Sequence, residues 1–250
     1  MAEVVSFADG GFKFVKGVSQ YSAGVAALPG YVLERYRFAK PVPLAEGFKR
    51  IEGIIKGAGR PLSAFAACEL RSPAPFTEAG FAAFNAIYIE TLKQWGLFAT
   101  GHNAVARSNV CPEIAPPAEP SFHAFTIAKA SPGAPATFVV AGSGEAPEGF
   151  ATYRDHIIAR GDTSPAGLKE KARFVLGEME RRMGALGFAW RDTTATQVYT
   201  VHDLHPFLAD EIVRRGASAA GLTWHFNRPP VQELEYEMDC RGVRTEHVID

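Results

Sequence analysis

Three cysteines are the whole complement of this 250-residue chain: Cys68, Cys111 and Cys240. They are odd in number and far apart, which argues against a disulfide framework and a clustered zinc site and suits reduced thiols in a cytoplasm. No excess of charge exists either, since 26 Lys and Arg stand against 27 Asp and Glu, with a pI near 6.7. Without a net positive field, nucleic acid and anionic membrane surfaces are poor partners. Long hydrophobic runs are missing too: no stretch approaches the ~18 apolar residues of a membrane helix. The opening Met1-Ala2-Glu3-Val4-Val5-Ser6 puts an acid where a signal peptide needs a basic region, so a soluble, non-exported protein is expected. The nearest approach to a phosphate-binding loop, Gly142-Ser143-Gly144-Glu145, lacks the remaining glycine of a dinucleotide fingerprint and a P-loop lysine, so it reads only as a turn able to line a cleft. No cofactor is expected.

What is present is ordinary globular composition, 47% hydrophobic and 21% charged, enough for one large domain or two small ones. Leu44, Phe48, Ile51 and Ile55 fall at helical spacing after Pro43 and stop at Gly57-Ala58-Gly59. Ala64–Leu70 reads as a buried strand ended by Ser72-Pro73-Ala74-Pro75. Thr77 is a plausible N-cap for a helix carrying Phe81, Phe84, Tyr88, Leu92 and Trp95, and Val105–Val110 and Phe122–Ala128 follow as strands. The order then restarts. Ala136–Ala141 is an apolar strand, and Asp162-Thr163-Ser164-Pro165 caps a helix whose stripe includes Leu168, Ala172, Val175, Met179, Met183 and Leu186 up to Gly187. Thr193–Val201 alternates as a strand, His205-Pro206-Phe207-Leu208 opens a helix running toward Gly216, and Leu234–Cys240 is the last strand. Repeated order makes duplication the economical account, with residues 1–130 and 135–250 as the units and the turn-rich Ala130–Pro135 between them.

The segment Thr223-Trp224-His225-Phe226-Asn227-Arg228-Pro229-Pro230-Val231 followed by Leu234–Cys240 resembles the end of a module of the Rid family of imine and enamine deaminases. Ala106-Arg107-Ser108-Asn109-Val110 resembles the family's Arg-Ser segment, and Phe122–Ala128 its last strand. The resemblance implies an α/β (α+β) fold of two Rid-like, chorismate-mutase-like modules, each a mixed β-sheet backed by two helices. Such modules associate in threes with clefts between them, which implies a homo-oligomer, most simply a trimer of two-module chains. It also implies hydrolysis of a carboxylate-bearing imine or enamine, 2-aminomuconate-like or 2-aminoacrylate-like, with ammonia released. A small acidic metabolite is the implied partner. Arg107 matches the arginine that grips the carboxylate, and Glu237 the glutamate that holds or activates water. Guanidinium suits carboxylate through paired charge-assisted hydrogen bonds, and an acid–base group must lie within hydrogen-bond reach of the water or the departing nitrogen.

Each copy keeps one of the two residues, because the first has Phe125 where the glutamate belongs and the second has Gly221 or a neighbour where the arginine belongs. Either one cleft takes Arg107 from one copy and Glu237 from the other, or the site is rebuilt with groups such as His225, His123, Arg228 or Cys111. The candidates are therefore Glu237 and His225 for catalysis, and Arg107, Ser108, Cys111 and Arg228 for substrate binding. Glu235, Glu237 and Asp239 share one face at period two, so a solvated row is the plain alternative for Glu237, with like-charge repulsion raising its central member if the row lines a cleft. Arg107 can equally be a surface arginine, His225 a packed histidine, and Cys111 a small buried hydrophobe. His202 and His205 lack a third ligand nearby, so no metal is expected. A non-catalytic module binding small carboxylates is the competing function, and a chorismate-type hydrolase is another arrangement of related modules. RNA cleavage, attributed to some relatives, is disfavoured by the neutral charge.

Overall fold

The computed structural model describes residues 3–150 and 152–250. Helices α1 (Leu44–Gly57), α2 (Glu78–Gln94) and α3 (Pro165–Leu186) form where the 3.6-residue apolar spacing lies. Phe48, Ile51 and Ile55 are the buried stripe of α1. Thr77 Oγ1 accepts the Gly80 N–H at 3.0 Å to cap α2. Ser164 caps α3 in the same way, Pro165 occupies its first turn, and Gly187 ends it at φ 93°, a left-handed conformation that costs glycine little.

In chain order the strands are β1 (Val4–Phe7), β2 (Phe12–Val15), β3 (Gly24–Ala27), β4 (Tyr31–Pro43), β5 (Phe65–Arg71), β6 (Ala106–Pro112) and β7 (Ser121–Ala130). They continue with β8 (Phe138–Gly144), β9 (Ala195–Tyr199), β10 (Thr223–His225), β11 (Asn227–Arg228), β12 (Glu237–Gly242) and β13 (Glu246–Ile249). One sheet runs β1-β2-β3-β8-β12-β9-β10 and the other β11-β6-β5-β7-β4-β13. The fold is mixed α/β, with both sheets mixed. Within them one order recurs, β6-β5-β7-β4 and β10-β9-β12-β8, each with one parallel pairing followed by two antiparallel ones. Helix α1 packs on β7 and β4, whereas α3 packs on β8 and β12.

Sheet membership does not follow the division at residues 130–135. Strands β1–β3 extend the sheet of the second half through Gly24↔Val140 and Val25↔Val139, while β11 and β13 extend the sheet of the first half. All four residues of β3 are buried, so this strand needs cover on both faces, and an interior place beside β8 supplies it.

Two expected elements differ. The helix expected from His205 to Gly216 is one α turn, α4 (His205–Phe207), and a π turn over Leu208–Val213. The wider turn buries Ile212 and turns the Glu211 carboxylate to Arg173 Nε at 2.7 Å, while Val213 faces solvent. The last strand starts at Glu237, not Leu234. The Glu145 carboxylate accepts the backbone N–H groups of Glu235 at 2.6 Å and Tyr236 at 3.1 Å, so a side chain satisfies donors that a ladder would otherwise use.

Candidate active site

Arg107 lies on β6, and the parallel bridge Ser22↔Ala106 sets the loop residue Tyr21 beside it. Its guanidinium sits 4.8 Å from the Tyr88 ring centroid and 5.6–5.7 Å from those of Tyr21, Phe81 and Phe84. Aromatic faces stabilise a cation but offer no hydrogen-bond acceptors of carboxylate strength. Arg107 is 3% exposed, makes no ion pair among the described residues, and leaves Nη1 without a hydrogen-bond partner. A buried, unanswered guanidinium is costly unless an anion completes it.

Glu237 approaches from the other sheet, at the start of β12, where it pairs with Gly144 and Tyr199. It is 4% exposed and lines the same cleft as Arg107, together with Asn109, Gly142, Ser143 and Tyr153. The carboxylate lies directly over Gly142, where a Cβ would collide with Oε1, so this position admits only glycine without displacing Glu237. Arg182, fully buried on α3, fastens the strand below: Nη1 donates to the carbonyls of Ala141 at 3.0 Å and Gly142 at 3.2 Å, and Nη2 to Ser143 Oγ and Glu148 Oε1.

Burial pushes the Glu237 carboxyl well above the usual range, and the nearby carboxylates of Asp239 and Glu145 push it further. Like-charge repulsion therefore contributes, but desolvation leads. The row of three acids inferred from alternation is broken. Glu235 precedes the strand, and its carboxylate meets His202 Nε2 at 2.8 Å and Arg228 Nη1 at 3.6 Å. Asp239 is buried between the sheets, accepting from Ser108 Oγ, Gln197 Nε2 and Tyr199 OH. Burial and then Glu69 raise its carboxyl, against the lowering effect of the Ser108 and Gln197 hydrogen bonds.

The remaining candidates lie outside this cleft. Ser108 faces Asp239 on the opposite side of β6 from Arg107. Arg228 pairs with Glu113 at 2.7 Å on the surface strand β11. Burial pushes the Cys111 thiol up to about 12, assisted by Glu237, so it is not a thiolate nucleophile at neutral pH. His225 stacks on Tyr199 at 5.0 Å and meets Gln197 Oε1 at 3.2 Å; burial and Arg71 lower its pKa to about 4. His123 is lowered to about 3 by burial and the same arginine. Both imidazoles are neutral at pH 7. The sequence reading missed Asn109 and Tyr21, because each earns its place through a partner remote in sequence. The Gly142-Ser143-Gly144 turn was the one visible sign, since such glycines mark close backbone approach.

The 2-aminomuconate deaminase CnbZ family model matches residues 4–247. A 2-amino-5-chloromuconate deaminase of Comamonas testosteroni is 48% identical over 251 aligned positions, covering 100% of both chains. Among solved structures, a chorismatase covers 92% of this chain and 77% of its own, with a TM-score of 0.54 at 12% identity, a likeness of fold alone. A family match across nearly the whole chain, joined to a relative of full length at nearly half identity, establishes that the chain belongs to the 2-aminomuconate deaminase family.

Proposed function

We propose that this protein hydrolyses a 2-aminomuconate-type enamine, releasing ammonia and leaving the 2-oxo acid. One observation carries the reading: an unpaired buried arginine of one sheet and a buried glutamate of the other, its pKa raised by burial, line a single cleft. The Arg107 guanidinium holds the carboxylate next to the amino-bearing carbon. Glu237 starts protonated and gives its proton to the enamine carbon, which leaves an iminium and a glutamate anion. That anion takes a proton from water as the water oxygen bonds to the iminium carbon. Glu237 then returns the proton to nitrogen, the C–N bond breaks as the new hydroxyl gives its proton back to the carboxylate, and the residue ends protonated. One water enters, one ammonia leaves, and burial raises the Glu237 carboxyl, the direction that suits it to give a proton as a general acid.

The recurring order β6-β5-β7-β4 and β10-β9-β12-β8 supports a duplicated module of the Rid type, and the association of Rid modules in threes that this resemblance implies supports a homo-oligomer. Three free, buried thiols support a reducing compartment, and among the described residues no helix is long and apolar enough to cross a membrane. The testing experiment is ammonia release from 2-aminomuconate by the purified chain, followed with the fall of the conjugated chromophore. One ammonia per substrate is expected; binding without release would replace the deaminase with a carboxylate-binding module.

A further inference from the structure

The cleft holds a second unanswered donor. Asn109 stands two residues beyond Arg107 on β6, 3% exposed and lining the same cleft. Its Oδ1 accepts the hydroxyl of buried Ser72 at 2.9 Å, which fixes the amide plane, and Nδ2 has no partner. Among the described residues that line the cleft, only Arg107 and Asn109 leave a buried side-chain nitrogen in this state. Among the other polar groups, Glu148 and Ser143 are engaged by Arg182. A buried N–H left open costs free energy that a bound acceptor recovers.

Residues two apart on one strand face stand roughly 6–7 Å apart at their Cα atoms. That span is close to the separation of the two carboxylates of an extended muconate chain. We propose that Asn109 Nδ2 binds the far carboxylate of a dicarboxylate substrate while Arg107 holds the near one, so that Asn109 selects double-ended acids over single-ended ones. This rests on the deaminase reading for the identity of the substrate, but not for the geometry. A neutral amide suits the second position because it offers a donor without burying another cation beside Arg107. Ser72 acts through it as a positioning residue.

The pair of probes is muconate and sorbate, unreactive six-carbon dienes that differ in having two carboxylates or one, titrated calorimetrically into the purified full-length chain. Wild type is expected to bind muconate at least tenfold more tightly than sorbate. Asn109→Leu, close in volume and without a donor, should bring that ratio near one, and Asn109→Asp should reverse it by setting a carboxylate against the ligand's own. Ser72→Ala, which keeps charge and cleft volume, should lower the ratio partway, and it serves as the test if the Asn109 variants fail to fold. A muconate preference unchanged in Asn109→Leu, or in Ser72→Ala where that variant decides, overturns the proposal, as does equal binding of the two probes by wild type. Muconate preference in a wild type that releases no ammonia from 2-aminomuconate overturns the deaminase reading and leaves this inference standing.

Discussion

At Glu237 the proposed chemistry and a stability cost rest on one carboxyl. Its pKa is raised by burial, so the folded state holds the proton more tightly than the unfolded chain. Such a group contributes stability that is full below the unfolded value near 4.5 and is lost as pH rises toward the folded value. Glu237→Gln, which mimics the protonated form at every pH, should therefore match wild type in melting temperature at pH 4 and exceed it at pH 8. Its kcat should fall by about 10²–10⁴ while KM stays near wild type, since the lost interaction belongs to the transition state. Full turnover by the variant would remove Glu237 from the reaction. Arg107→Lys keeps the charge but loses the planar fork and its stacking against Tyr88, so KM for an acidic substrate should rise well beyond any fall in kcat. Steady-state kinetics unchanged from wild type would place Arg107 outside the binding site.

Among the elements, α3 braces the Glu237 side of the site through two fully buried cations, Lys171 and Arg182. Lys171 Nζ donates to Glu145 Oε1 at 3.2 Å and to the Ile158 carbonyl at 2.9 Å, with both charged side chains out of solvent. Glu145 in turn takes the two N–H groups that fix where β12 begins, one residue before Glu237. Lys171→Met leaves that carboxylate unpaired and should cost about 3–5 kcal/mol of stability, read by denaturant melts. Pairing Lys171→Met with Glu145→Gln should recover part of the loss; a double variant no more stable than the single one would show that the Glu145 charge is not what the lysine compensates. The same carboxylate explains why alternation misplaced the start of the last strand. A period-two pattern cannot reveal that a side chain from elsewhere has taken the backbone donors.

For the whole molecule, Arg107 and Glu237 lie in different sheets, and their cleft lies inside one chain. If the proposed Rid-type modules are present, two per chain do not complete a threefold ring, and that reading predicts self-association, most simply as a trimer of chains. Light scattering at micromolar concentration checks this, and a strict monomer would count against the Rid-type assembly. The exchanged edges, β1–β3 in one sheet and β11 and β13 in the other, make the two halves interdependent. Cutting the chain between residues 130 and 135 therefore separates strands that share a sheet.

The sequence alone determined most of the helices and singled out two residues that the cleft brings together, Arg107 and Glu237. Thr77, Ser164, Pro165 and Gly187 act on their own neighbours, and stripes such as Phe48-Ile51-Ile55 need only a nonpolar surface to face, so caps and helices were legible. Arg107 and Glu237 stood out because their types suit the chemistry and their segments resemble a known module. Tertiary structure decided what those residues meet. Asn109 gains meaning from Ser72, Glu237 from Gly142 and Asp239, and β12 from Glu145, all contacts between distant segments. Desolvation and pairing depend on three-dimensional neighbours, which no periodicity along the chain encodes, and so the separation of Glu237 from Glu235 was settled only by folding.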